Sequence, residues 1–584
     1  MKWDKKGLFR YFVETDKNCP DVQLHLEPLK EQTELLHITL RWNHNTSPNP
    51  VTIWWTFPVK DTQGCWHPGV RFSRYLPPDW IKGNRSYATS SAPVHALYSQ
   101  DGENRLTFAL SDGLNVCSLS AGIREENGVF VCKAVLFDAP TPAMKEYHVA
   151  LRIDARPIPW YETIQQVSQW WESLPGYTPV SVPEAGTLPM YSCWYSFHQD
   201  LHPEAIETQC AAAKKLGCDT VIVDDGWQTD DNARGYAYCG DWEMCASKIP
   251  DMAAHVARVH RLGMRYLLWY SVPFVGRRSK AWQRFSGKIL THWDEQGAAV
   301  LDPRYPEVRE YLTGIYEKAL REWNLDGFKL DFVDSFFQPE QENPQADPGR
   351  DFESVPEAVD VLLSGVITRL KALKPDIMIE FRQSYIGPLM RKYGNLFRAG
   401  DCPDDALSNR VSTIDLRLLC GNSAAHSDML MWHQEEETAS AALQILNVLY
   451  AVPQISVDLT ALPTEHREML AFWLSFWRKH RNILLFGQLR PHMPQLLYPL
   501  VEAEQDGTVI ASLYGDVVAP IAEKKQTILI NATRARRVVV EAKEGASSHW
   551  SSYNCCGHFQ ENGILKPGVQ SIPVPPAGFV QIEE

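Results

Sequence analysis

Two short apolar segments of this chain end on an aspartate. Segment 325–332 reads Leu-Asp-Gly-Phe-Lys-Leu-Asp-Phe and places Lys329 two residues before Asp331. In a strand, that spacing points both side chains to the same face. Segment 395–400 is also apolar and is followed by Asp401. Charged side chains are costly inside a sheet unless they do chemistry or lie at its open end. Two carboxylates at the ends of separate strands are what cleavage of a glycosidic bond requires.

Strand-like and helix-like segments alternate around these aspartates. The strand-like segments are 190–197, 220–226, 266–272, 327–333, 377–383, 395–401, 427–432 and 454–459. Helical patterns separate them, and one begins with a capping box of Ser354 and Glu357. Eight strands with intervening helices predict an α/β fold with a central (β/α)₈ TIM barrel. A doubly wound open sheet alternates in a similar way, but it usually has fewer strands. The Gly-rich phosphate loop expected after its first strand is missing here.

The sequence on either side of the barrel is β-like. Short β-branched or aromatic segments, separated by Asn, Gly, Pro and Asp, fill the N-terminal region and return after the barrel. We therefore expect an N-terminal β-sandwich domain over 1–160 and a helical, Pro-rich linker over 161–188. The catalytic barrel would span 189–485, and an antiparallel β domain would span 486–584.

Composition narrows the classes of partner. The formal net charge of −14 argues against binding to nucleic acid or to anionic membrane surfaces. No apolar run has membrane-spanning length, and the charged N-terminus does not resemble a signal peptide, so we expect a cytoplasmic protein. The 13 cysteines show no zinc-site spacing, and the 20 tryptophans suit sugar binding as well as ordinary packing. A small carbohydrate is the expected partner, and a homo-oligomer is left open.

Ionisable residues accumulate where the predicted barrel strands end. They are Asp224, Asp225, Lys329, Asp331, Asp334, Arg382, Arg398, Asp401, His426 and Asp428. Active sites of such barrels lie at the carboxyl ends of the strands, so this concentration predicts an active site.

Each of these residues also has a structural interpretation. Asp224 and Asp225 precede a glycine and could form a turn. Asp331 could form a salt bridge with Lys329, and Asp401 could cap the following helix. His426 could bind a metal, but the first strand lacks the His-x-His expected of a metal-dependent hydrolase. We therefore expect neither a metal nor another cofactor.

Several motifs resemble glycoside hydrolase family 36, the α-galactosidase (melibiase) family. The similar segments are Val-Asp-Asp-Gly-Trp at 223–227, Gly-Asp-Trp-Glu at 240–243, Lys-Ile-Pro at 248–250, Leu-Gly-Met at 262–264, Leu-Trp at 268–269, Val-Leu-Asp at 300–302 and Lys-Leu-Asp at 329–331. They occur in the order of the family and span about a hundred residues. The expected three-part layout is also that of the family.

The resemblance implies a retaining exo-α-glycosidase that acts on a terminal galactose-like sugar. Asp331 corresponds to the nucleophile that forms a covalent glycosyl-enzyme, and Asp401 to the general acid/base, which needs a raised pKa. The residues expected to bind the sugar are Trp194, Asp224, Asp225, Trp242, Trp269, Lys329, Arg382, Arg398 and Asp428.

The chain departs from the family after its fifth strand. The family has a Cys-Ser-Gly-Gly-Gly run there, whereas this chain reads Glu-Phe-Arg-Gln-Ser-Tyr over 380–385 and so introduces Arg382. An arginine prefers a carboxylate or sulfonate partner, which leaves an N-acetylgalactosaminide or an acidic sugar as alternative substrates. A transglycosidase on the same scaffold is a further alternative, as is a non-catalytic carbohydrate-binding protein. Segment 338–352 could be a lid, a dimer contact or a plain loop.

Overall fold

The computed structural model describes residues 3–15, 20–337, 347–521, 526–543 and 548–583. Most of segment 338–352 therefore lies outside the described residues. Among the described residues, no helix combines the length and the apolar character needed to cross a bilayer.

The N-terminal region consists of two six-stranded sheets, and the neighbouring strands for which pairing is resolved run antiparallel. In sheet order, the first contains Trp3–Lys6, Arg10–Glu14, Val51–Pro58, Val129–Leu136, Cys117–Arg124 and Asn84–Ser86. The second contains Asp21–Lys30, Thr33–Thr46, Met144–Asp154, Asn104–Leu110, Val94–Tyr98 and Gly64–Trp66. Buried aliphatic and aromatic side chains of both sheets belong to one continuous core, as in a β-sandwich.

The central region is a closed barrel of eight parallel strands, which confirms the predicted TIM barrel. The strands are Met190–Ser192, Thr220–Val223, Arg265–Ser271, Gly327–Asp331, Met378–Arg382, Leu396–Arg398, Ala424–Leu430 and Val452–Ile455. A small antiparallel sheet of Phe274–Gly276, Ala298–Leu301 and Ile289–Trp293 is inserted after the third strand.

Helices surround the barrel. They are Trp160–Glu172, Trp194–Phe197, Pro203–Leu216, Met252–Arg261, Lys280–Arg284, Pro306–Trp323, Val355–Leu373, Met390–Tyr393, Ala406–Leu419, Thr438–Leu446 and Thr464–Arg481. Proline at the first helical position starts two of them, where its missing N–H costs nothing. The Ser354 hydroxyl accepts a hydrogen bond from the Glu357 N–H at 3.2 Å, so this N-cap forms as the sequence predicted.

The C-terminal region is again β, with mostly antiparallel pairs and two parallel ones. Its seven-stranded sheet has the order Gln488–His492, Leu500–Gln505, Thr508–Leu513, Gln526–Asn531, Phe579–Glu583, His549–Tyr553 and Phe559–Ile564. A three-stranded sheet contains Val518–Ile521, Arg537–Ala542 and Gly568–Pro573.

One buried carboxylate of the barrel joins all three regions. Asp415, on helix Ala406–Leu419, accepts hydrogen bonds from Trp66 Nε1 at 2.8 Å, Arg74 Nη2 at 3.0 Å and the Tyr498 hydroxyl at 2.6 Å. The first two donors belong to the N-terminal sandwich, and the third lies between the first two strands of the C-terminal sheet. A buried charge is stable only when paired, so this cluster fixes the flanking domains to the barrel.

Candidate active site

Asp331 lies at the carboxyl end of the fourth barrel strand and is surrounded by hydrogen-bond donors. Its Oδ1 accepts from Arg382 Nε at 2.6 Å, from the Tyr385 hydroxyl at 2.9 Å and from the Phe332 N–H at 2.8 Å. Its Oδ2 accepts from Trp269 Nε1 at 3.1 Å. One oxygen is therefore held by three donors, and the other by a single donor.

Arg382 controls the charge of this carboxylate. Burial favours the neutral form of Asp331, but the charges of Arg382 and Lys329 outweigh it and hold the pKa well below its usual range. The guanidinium also lies over the rings of Phe332 and Tyr385, at 5.0 and 5.3 Å from their centroids. Asp331 is thus ionised over the whole neutral range.

Lys329 does not form the salt bridge with Asp331 that the sequence left open. Its ammonium instead donates to Asp224 Oδ2 at 2.5 Å, and both side chains are buried. The alternating pleat points Lys329 and Asp331 to the same side of the strand, and the second strand supplies the partner for the lysine. Lys329 therefore forms a direct ion pair with Asp224, and its positive charge also favours the ionised form of Asp331 without a hydrogen bond between them.

Asp225 forms no salt bridge with any residue that the structure describes. Its two oxygens accept hydrogen bonds from the side-chain amides of Gln199 at 2.6 Å and Gln228 at 2.7 Å. Burial raises the pKa of Asp225 to about 6, because the two amides only partly replace hydration. Asp225 therefore exchanges a proton near pH 6.

Asp401 lies three residues beyond the end of the sixth strand. Its side chain is 52% exposed and accepts a hydrogen bond from Arg398 Nη2 at 2.9 Å. The expectation that the pKa of Asp401 is raised is wrong for this structure. Burial raises the pKa of Asp401, but the charges of Arg398, Lys329 and Arg382 outweigh burial and lower it.

Arg398 and Asp428 lie beneath Asp401 rather than at the surface. Both are fully buried, and Arg398 forms ion pairs with Asp428 and Asp401, while Glu380 lies 3.6 Å from its Nε. Asp428 also accepts from the Tyr195 hydroxyl at 2.8 Å. These side chains set the position of Asp401 and have no surface for a ligand in this conformation.

The three predicted tryptophans occupy different environments. Trp269 donates to Asp331, and its own carbonyl accepts from Trp227. Trp194 is partly exposed on the short helix after the first strand, with the Arg234 guanidinium 5.9 Å from its ring centroid. Trp242 is buried against the rings of Trp227 and Tyr270, behind the site.

Two contacts from the N-terminal sandwich reach the loops that form the site. The Tyr87 hydroxyl donates to the carbonyl of Asp334 at 2.9 Å, just after the fourth barrel strand. The Ser91 N–H donates to the carbonyl of Ser384 at 2.8 Å, next to Tyr385. The sandwich therefore braces both loops that flank Asp331.

Sequence reasoning missed Tyr385, Gln199 and Tyr195 as members of this site. Tyr385 follows the fifth strand by three residues, so its position at a strand end was the available signal. Tyr195 lies in segment 190–197, which was predicted as a strand, and Gln199 lies just after it. Only Met190–Ser192 is a strand, and a short helix and a turn follow.

The site has no cluster typical of metal binding. No group of three His, Cys, Asp or Glu with metal-binding geometry occurs among the described residues. His426 is buried, its Nε2 lies 2.9 Å from the Gly186 carbonyl, and burial lowers its pKa to about 4. It is a neutral core residue.

Comparison with known proteins gives a consistent result. The Melibiase family model matches residues 188–487. The α-galactosidase Mel36A of Lactobacillus acidophilus is 23% identical over 318 residues, which is 51% of this chain and 41% of that protein. The alignment thus spans about two fifths of the length of this curated relative.

Solved structures share the fold. An α-galactosidase from Lactobacillus brevis superposes with a TM-score of 0.65 at 15% identity, over 98% of this chain and 81% of the other. A variant of the α-galactosidase AgaA from Geobacillus stearothermophilus, in complex with raffinose, gives 0.65 at 16% identity, over 98% and 83% of the two chains. At this identity the likeness establishes the fold alone.

Proposed function

Because the chain belongs to the melibiase family, we propose that it is a retaining exo-α-glycosidase that hydrolyses a terminal α-linked, galactose-like sugar. The observation that carries this proposal is the pair of carboxylates at the carboxyl ends of the fourth and sixth barrel strands. Asp331 is buried, ionised and fixed by four donors, whereas Asp401 is half-exposed on the loop after the sixth strand. A nucleophile must be pre-oriented, and an acid/base must reach both the leaving group and water.

In the first step, Asp331 attacks the anomeric carbon while the bond to the leaving oxygen breaks. We assign the attack to Oδ2, because Oδ1 already accepts three hydrogen bonds and keeps them as its charge falls. Asp401 gives its proton to the leaving oxygen. In the second step, Asp401 takes a proton from water, the water oxygen bonds to the anomeric carbon, and Asp331 leaves as a carboxylate.

Chemical rescue tests the two roles separately. An Asp331→Ala variant should lose turnover, and added azide should restore cleavage of an activated aryl α-galactoside as the β-glycosyl azide. An Asp401→Ala variant should instead give the α-azide, because azide then attacks the intact glycosyl-enzyme. Unchanged turnover in Asp331→Ala, or azide products of the opposite configuration, would refute the assignment. The separation of the two carboxyl groups in a ligand complex should be roughly 5 to 5.5 Å.

Arg382 supports a second candidate substrate. Only its Nε is bonded to Asp331, and its Nη atoms have no hydrogen-bond partner among the described residues. They lie beside the nucleophile, where the substituent on the neighbouring sugar carbon must pass. An N-acetylgalactosaminide or an acidic sugar would supply acceptors there. Initial rates on aryl α-galactoside, α-N-acetylgalactosaminide, α-glucoside and α-uronide would rank these glycones directly.

A further inference from the structure

A second cavity lies in the N-terminal sandwich, apart from the barrel. Its volume is about 420 Å³, and it opens beside strand Gly64–Trp66. Its walls include Cys65, His67, Phe72, Tyr75, Asn84 and His95. Among the described residues, no Asp or Glu lines the cavity. All of its lining residues belong to the sandwich. The volume is in the range of small-molecule sites.

His95 is the unusual member of this lining. It is 3% exposed, and its ring is stacked between His67 at 5.4 Å and Phe108 at 5.2 Å. Within the described part of the chain, neither of its ring nitrogens has a hydrogen-bond partner. Buried polar groups are nearly always partnered, and each orphan costs about 1–3 kcal/mol. The ring is therefore held rigidly with two unused polar atoms.

The protonation state of His95 defines what would complement it. Burial, and then the neighbouring His67, lower the pKa of His95 well below its ordinary value. A neutral imidazole has one N–H donor and one acceptor nitrogen. A hydroxyl group can pair with either nitrogen, because it accepts from the N–H or donates to the bare nitrogen, whereas an anion can pair only with the N–H. One water molecule occupies about 30 Å³, which is far less than this space.

The rim of the cavity adds an apolar surface. The Tyr75 side chain is 60% exposed, and Phe72 and Ile81 also project outward. The loop beneath them is fixed, since the Cys65 thiol donates to the Tyr75 carbonyl at 3.2 Å and Arg74 is bound to Asp415. Rigid aromatic faces beside polar groups suit the two characters of a sugar ring, its C–H face and its hydroxyls, and the side chains of Arg71 and Lys82 in the lining can also donate to hydroxyls.

We propose that this cavity is a second carbohydrate-binding site, which takes one hexose unit of an oligosaccharide with Tyr75 against the ring face and His95 on a hydroxyl. The site would hold an oligosaccharide away from the barrel and would not take part in bond cleavage. It does not depend on the identity of the catalytic residues.

Calorimetric titration with raffinose tests the proposal on the full chain. The Asp331→Asn variant serves as parent so that the probe is not consumed. We expect two raffinose sites in the parent and at least a tenfold loss of affinity at one of them in Asp331→Asn/Tyr75→Ala. Phe559→Ala, which removes a ring of similar exposure (54%) in the C-terminal domain, is the matched control and should leave both sites intact.

The outcomes separate this site from the barrel. A single site that Tyr75→Ala abolishes still supports the cavity and counts against raffinose as a barrel substrate. Raffinose binding that is identical in parent and Tyr75→Ala overturns the proposal. So does a Tyr75→Ala variant that changes only the oligomeric state in sedimentation, since the rim would then be a subunit interface. His95→Phe, which preserves the stacking, should weaken the same site as Tyr75→Ala.

Discussion

Replacing Arg382 by glutamine should test the charge balance around Asp331, the proposed nucleophile. The change removes the 2.6 Å ion pair between Arg382 Nε and Asp331 Oδ1, whose side chains are 22% and 9% exposed. It keeps a polar side chain at the position. We expect kcat/KM to fall by about 10- to 100-fold on any accepted glycoside, because Oδ1 loses one of the donors that orient the carboxylate.

The same variant should lose about 2–3 kcal/mol of stability at pH 7, the value of a hydrogen bond to a charged group. The loss should depend on pH. The pKa of Asp331 is lower in the folded protein than in the unfolded chain, so its contribution is present above the unfolded value of about 3.9 and is lost as the pH falls through the folded pKa. The difference in free energy of unfolding between the wild-type protein and the variant should therefore shrink by about 1 kcal/mol as the pH falls from 5 to 3.

Urea denaturation followed by tryptophan fluorescence, at pH 7, 5 and 3, measures both effects. Arg284→Gln is the matched control, because Arg284 also lies over two aromatic rings, Phe285 and Tyr311, and pairs with Glu307 at the surface. The control should lose less than about 1 kcal/mol. A destabilisation of Arg382→Gln that is equal at all three pH values would refute the electrostatic argument and leave only lost packing against the rings.

Three further changes probe the scaffold. Asp415→Asn leaves the buried guanidinium of Arg74 without its counter-charge, so unfolding in urea should cost about 3 kcal/mol less than in the wild type; a loss under 1 kcal/mol would show that the cluster does not join the domains. Asp225→Asn removes a carboxyl whose folded pKa of about 6 penalises the native state as the pH rises from 4 to 6. Its stability relative to wild type should therefore increase by about 2 kcal/mol over that interval, and a flat difference would contradict the raised pKa. Tyr87→Phe deletes the hydrogen bond to the Asp334 carbonyl and should lower kcat/KM about 3- to 10-fold with KM nearly constant, whereas a purely structural role would change the urea midpoint without changing kcat.

The sequence was sufficient for the architecture because hydrophobic periodicity and helix-start signals repeat throughout the barrel. It was less informative about where strands end. The sixth strand stops at Arg398, whose pairing partners are Arg382 and His426, and Asp401 lies beyond it on a loop. The first strand stops at Ser192, and the aromatic residues that follow form a helical turn. A parallel strand ends where its neighbours no longer pair with it, which is a property of distant segments.

The same limit applies to the candidate site. Charged residues at the strand ends could be identified from the sequence, and their catalytic and binding roles remain predictions. The partners of those residues could not be identified, because Asp224 pairs with Lys329 across 105 residues and Tyr87 reaches Asp334 across 247. The direction of a pKa shift depends on such contacts. That is why a raised pKa for Asp401 was a reasonable expectation from its role and was wrong for the substrate-free structure.

The lowered pKa of Asp401 is compatible with acid/base catalysis, because its surroundings change during the reaction. Binding of a sugar removes water from a side chain that is 52% exposed, and desolvation raises the pKa of a carboxyl group. The negative charge of Asp331 also raises the pKa of Asp401. In the proposed mechanism Asp331 becomes a neutral ester, so this contribution is lost and the pKa of Asp401 falls again. The proton of Asp401 would therefore be held more tightly before the first proposed step, in which Asp401 acts as an acid, and less tightly before the second, in which it acts as a base. The positive charges of Arg398, Lys329 and Arg382 lower the pKa of Asp401, and both changes start from this lowered value.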